Sequence, residues 1–174
     1  MPVYKTEPSV LLYEEDVRKM FDLANDQEAL AIALLWQTGA RPGELQLLKK
    51  ENFFITEDKL EITIKTLKLR KSVTKYQISE RTLRFDRPKG LKSDVYIETI
   101  TNYVKNLYPE AKVMMFGKRW LEYKIAKLSQ KALDKPLSPY HFRHSVMSWL
   151  AKNGATAVEI KDFKGAKSLL SVDQ

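Results

Sequence analysis

Apolar positions in this chain follow two different periods. Val17, Met20 and Phe21 fall on one face of a helix expected over Glu14 to Leu23. Gln27 to Trp36 is apolar nearly all round, the pattern of a buried helix, so these two helices are expected to pack on each other. Gly39 supplies a helix stop, Pro42 suits the first turn of a new helix, and Glu44 to Lys49 completes that short element. From Asn52 the period shortens. Phe53 to Ile55, Leu60 to Ile64 and Ser72 to Ile78 are short β-rich runs separated by charged or turn segments, which predicts a small three-stranded antiparallel sheet.

A second helical half follows. Ser93 to Leu107 and Arg119 to Leu133 again place apolar residues three and four apart. Pro139 opens a helix that runs to about Asn153 with Gly154 as its stop, and Ala157 to Phe163 forms another. Residues 1–10 carry Pro2 and Pro8 without periodicity and are expected to be an extended lead-in. No internal repeat or low-complexity tract interrupts this order. The expected fold class is α+β, mainly α, with one domain over residues 11–174.

Composition narrows the chemistry. At 174 residues the chain is long enough for one core. It has 30 Lys and Arg against 22 Asp and Glu, a formal net charge of +8, which favours a polyanionic partner. The absence of cysteine excludes a disulfide framework, a thiolate metal site and a cysteine nucleophile. Both histidines, His141 and His144, lie in one segment, so no metal centre and no cofactor is expected. No apolar run resembles a signal peptide or reaches the length of a membrane span, and an intracellular protein is the expectation.

Two segments about a hundred residues apart carry the candidate chemistry: Thr38-Gly39-Ala40-Arg41-Pro42-Gly43-Glu44-Leu45 and Ser138-Pro139-Tyr140-His141-Phe142-Arg143-His144-Ser145. Each puts an arginine near the start of a helix. Guanidinium is planar, permanently charged and able to bond two phosphate oxygens at once, so two arginines converging on one point would clamp a phosphodiester. Glu44 is placed to orient Arg41 and to neutralise surplus charge when no polyanion is bound. Arg143 sits one turn into its helix, and His144 points about 100° away from it. His141 is expected to be exposed. Trp36, Trp120 and Trp149 lie on apolar helix faces and are expected in the core.

In their sequence and order these segments resemble the tyrosine recombinase (integrase) family, from about Leu11 to Gln174. The resemblance implies that Arg41 is the first catalytic arginine, that Glu44 is the acid that follows it, and that Arg143 and His144 close the His-x-x-Arg-His box. Tyr140 takes that box's first position, where some archaeal plasmid and viral integrases also have Tyr-x-x-Arg. Lys65 best matches the lysine that protonates the departing 5′ oxygen, with Lys68 as the runner-up. Lys68, Arg70 and Lys71 would touch phosphates at the hairpin tip.

The family's Leu-Gly-His segment, whose nucleophilic tyrosine follows the glycine by about ten residues, aligns with the stretch that starts at Phe163, with Gly165 at the glycine and Ala166 at the histidine. The nucleophilic tyrosine would fall one residue past Gln174, and no tyrosine follows Tyr140. The expectation is therefore a catalytic domain cut short before its nucleophile. The family's chemistry makes a 3′-phosphotyrosyl link in double-stranded DNA without metal or ATP, within a synapse of several subunits. The alternative from another class is a non-catalytic DNA-binding module derived from a recombinase.

Overall fold

The computed structural model describes residues 10–69 and 76–164. Their order is α1 (Glu14–Asp22), α2 (Asp26–Thr38), α3 (Pro42–Gln46), β1 (Phe53–Ile55), β2 (Lys59–Leu69), β3 (Tyr76–Asp86), α4 (Val95–Val104), α5 (Lys118–Leu133), α6 (Pro139–Lys152) and α7 (Ala157–Lys164). The architecture is thus mainly helical with one three-stranded antiparallel sheet, as the hydrophobic pattern implies.

The core is organised around α2. Leu30, Ala31, Ile32, Ala33, Leu34 and Leu35 are all essentially inaccessible, and α1, α4 and α6 pack round them. Such a helix cannot rely on a polar face to fix its start, so its ends carry specific caps. Asn25 accepts from the Glu28 amide at 2.9 Å, and Glu28 accepts from the Asn25 amide at 3.0 Å. At the other end Gly39 adopts φ 61°, and a Cβ there would lie 2.8 Å from Met147 Cε and 3.2 Å from Val146 Cγ1. Glycine is needed at this position both for the left-handed backbone and for the close approach of α6. Trp36 meets Phe142 edge to face at 6.5 Å, which seals α2 against α6.

The sheet runs β1-β2-β3, with β2 paired to β3 from Lys59↔Asp86 to Leu69↔Tyr76. Leu60, Ile62 and Ile64 on β2 and Leu83 on β3 bury one face, while Glu61, Lys65, Glu80 and Arg84 line the other. The third strand extends eight residues past the predicted Ser72–Ile78, to Asp86, and residues 72–75 lie outside the described ones. The expected strand stopped early because charged residues outnumber Leu83 and Phe85 beyond Ile78, which hides the two-residue period.

Two further expectations are corrected. Trp149 is 57% exposed on α6, since its helix face turns away from α2. His141 is buried rather than exposed. Its Nδ1 accepts from the Ser138 amide at 3.0 Å, taking the place that a glutamate usually fills at a helix start whose first residue is proline. Burial also pushes the His141 imidazole below its ordinary value, favouring the neutral ring that this bond requires.

Candidate active site

The site forms where α3, α6 and the β2–β3 ribbon meet. Arg41 is the N-cap of α3, whose first turn begins at Pro42 and brings Glu44 back under it. The Glu44 carboxylate accepts from the Arg41 amide at 2.8 Å and lies 3.7 Å from Arg41 Nη1. Arg143 reaches the same place from α6, where its Nη1 donates to the Gly39 carbonyl at 2.6 Å and stands 4.0 Å from Glu44 Oε1. The two sequence segments therefore converge on one carboxylate oxygen.

The convergence includes a residue that the sequence did not reveal. Arg81 on β3 grips Glu44 with both ends of its fork, Nη1 to Oε2 at 2.7 Å and Nη2 to Oε1 at 3.2 Å. Thr66 on β2 donates its hydroxyl to the same carboxylate. Arg81 sits in register opposite Ile64 on the core face of the ribbon. Extending the spacing of Leu83 and Phe85 back by two residues would have found it.

These contacts set the electrostatics. Burial pushes the Glu44 carboxyl upward, and the Arg81 fork, the Thr66 hydroxyl and the Arg41 amide more than offset it, leaving the group at about 2. Burial, reinforced by the Arg41 charge, brings the Arg143 guanidinium down to about 10 despite Glu44. Both stay ionised at neutral pH. Among the described residues three guanidinium groups, Arg41, Arg81 and Arg143, surround this one carboxylate, and Arg41 is the exposed one at 43%.

The remaining candidates are placed differently. Tyr140 is 52% exposed on the first turn of α6, stacked on His144 with ring centroids 6.4 Å apart and planes 13° from parallel. Lys65 pairs with Glu80 across the ribbon, Nζ to Oε1 3.8 Å. It lies on the strand face opposite Thr66, so its ammonium does not join the Glu44 cluster. Lys68 occupies β2 opposite Gln77, while Arg70, Lys71 and Ala166 fall outside the described residues. Among the described residues no helix is long and apolar enough to cross a membrane.

A mainly helical domain with a small three-stranded antiparallel sheet is the catalytic-domain fold of tyrosine recombinases. The sequence profile of the phage integrase family matches residues 11–174, and the chain belongs to that family. Among solved structures, the XerA recombinase superposes with a TM-score of 0.72 at 19% identity, covering 99% of this chain and 60% of that one. The XerH site-specific recombinase bound to its difH substrate, in a pre-cleavage complex, gives 0.67 at 17% identity, covering 94% of this chain and 48% of that one. The Tn1549 transposon integrase in complex with transposon right end DNA gives 0.67 at 16%, covering 96% and 61%. At such identities the likeness is one of fold, and the chain spans about half to three fifths of those proteins. No curated protein sequence matches it.

Proposed function

We propose that this domain binds double-stranded DNA and holds a scissile phosphate for site-specific recombination. The observation that carries the reading is the approach of Arg41 and Arg143, from segments a hundred residues apart, to within 4.0 Å of one Glu44 oxygen. Bidentate donors fixed at one point suit the non-bridging oxygens of a phosphodiester, whose charge grows as the phosphorus takes on a fifth ligand. In the family's reaction the tyrosine oxygen bonds to phosphorus, the bond to the 5′ oxygen breaks, and the departing oxygen takes a proton. Lys65 or Lys68 supplies that proton. Tyr140 stands beside the clamp as a hydrogen-bond donor to a non-bridging oxygen, and His144 supports it by stacking. Lys68, Arg70 and Lys71 contribute phosphate contacts, and several subunits assemble on the DNA inside the cell. The Tyr140-His141-Phe142-Arg143 box resembles the Tyr-x-x-Arg of some archaeal plasmid and viral integrases, which supports an origin of that kind. Residues 11–174 belong to the catalytic domain, and the family's tyrosine position aligns one residue past Gln174.

The test is binding of a labelled duplex by the 174-residue chain, together with adduct formation on a nicked suicide substrate. Affinity should fall steeply as salt rises, because phosphate neutralisation supplies it, and Arg41→Ala and Arg143→Ala should each weaken it. No covalent adduct should appear on a denaturing gel, because clamp residues cannot replace a nucleophile. Salt-independent binding, or binding indifferent to both arginines, would sink the clamp. An adduct would make Tyr140 the first suspect as nucleophile. If a chain carrying tyrosine at the next position still bound DNA without any adduct on its cognate site, the non-catalytic DNA-binding module would be the better reading.

A further inference from the structure

The Glu44 carboxylate receives four donors. Oε1 accepts from the Arg41 amide at 2.8 Å and from Arg81 Nη2 at 3.2 Å. Oε2 accepts from Arg81 Nη1 at 2.7 Å and from the Thr66 hydroxyl. An ionised carboxylate offers about four acceptor sites, so this one is saturated. The clamp guanidinium of Arg41 is consequently left at 3.7 Å, and its Nη1 has no hydrogen-bond partner. Arg81 itself is only 10% exposed and lies on the core face of the ribbon, too enclosed to meet a ligand.

We propose that Arg81 is a positioning residue: by filling half the acceptor sites of Glu44 it prevents that carboxylate from capturing Arg41, which keeps the Arg41 fork for a backbone phosphate. The inference rests on the clamp reading given above. Without Arg81, a buried carboxylate would lose two charge-assisted bonds, and the nearest flexible cation able to replace them is Arg41. A shift of roughly an ångström would turn its ion pair into hydrogen bonds. The clamp would then be quenched from inside. Thr66 acts in the same direction from the neighbouring strand, so the ribbon, and not α3 alone, sets the spacing between Glu44 and Arg41.

The experiment measures duplex DNA affinity of the 174-residue chain and its variants by fluorescence anisotropy, with thermal melts as a check on folding. Arg81→Gln should bind roughly tenfold more weakly, the scale of one lost charge-assisted contact. Arg84→Gln removes the same charge from the exposed face of β3, where Arg84 pairs with Glu61 at 3.1 Å, and should stay within about twofold of wild type. The decisive variant is Arg81→Gln combined with Glu44→Gln. With no carboxylate to capture Arg41, it should recover most of the lost affinity. An Arg81→Gln protein that binds like Arg84→Gln overturns the proposal. So does a double variant without recovery, which would mean that Arg81 meets DNA directly or only supports the fold. If Arg81→Gln does not fold, Thr66→Val takes its place, expected to bind several-fold more weakly, and binding equal to wild type again overturns the role. Should Arg41→Ala bind as well as wild type, the clamp itself falls. Weakened Arg41→Ala beside an unaffected Arg81→Gln refutes only the function assigned to Arg81.

Discussion

Arg41 stands at the cap of a five-residue helix with its side chain 43% exposed, whereas Arg143 lies inside a fourteen-residue helix with 9% exposed and its Nη1 bonded to the Gly39 carbonyl. Both address Glu44 Oε1, yet one is anchored by the core and the other only leans on it. The difference teaches how two arginines at one carboxylate can divide accuracy from adaptability. In the proposed clamp the α6 arginine would serve as a reference point in the frame of α2 and α6, and the α3 arginine would close on the phosphate.

Removing the shared carboxylate should break the comparison most strongly. Glu44 sits at about 2 in the folded protein against an ordinary 4.5, so it stabilises the fold above pH 4.5 and that contribution is lost as pH falls through 2. Glu44→Gln should therefore cost on the order of 3 kcal/mol near neutral pH in urea unfolding. The wild-type and variant stabilities should converge in acid, and a gap that persists unchanged near pH 2 would assign the effect to packing instead.

A smaller effect is expected at the anchor of Arg143. Gly39→Ala forces a side chain into φ 61° and within 2.8 Å of Met147 Cε, and should cost about 1–3 kcal/mol. Because the Gly39 carbonyl holds Arg143, the same change should also weaken DNA binding. Retained affinity in a destabilised protein would show that Arg143 needs no such anchor. The smallest stability effect belongs to the exposed partner. Arg41→Ala should alter unfolding free energy by less than about 1 kcal/mol, as exposed ion pairs do, and any large loss would erase the distinction between the two arginines.

The segments that were legible in the sequence share a property: their local signals agree with their tertiary role. Gly39 and Pro42 mark the turn that presents Arg41, and Ser138 with Pro139 mark the start of the helix that carries Arg143. Arg81 was hidden because it occupies a core-face strand position as a cation. It disrupts the alternation that would have disclosed the strand, and its partner lies 37 residues earlier in the chain. His141 misled for the complementary reason, since a polar side chain in a first turn suggests solvent until the unsatisfied Ser138 amide is taken into account. Trp149 shows the limit of apolar content as a guide, because a helix packed on α2, α5 and α7 still leaves one face open to water.

The depressed value of Arg143 also links the fold to whatever charge approaches it. Folding brings this guanidinium down to about 10, so the folded state holds the charge at some thermodynamic disadvantage throughout the neutral range. An anion brought against Arg143 would offset part of that disadvantage, so a phosphate-bearing ligand and the ionised arginine would each stabilise the other.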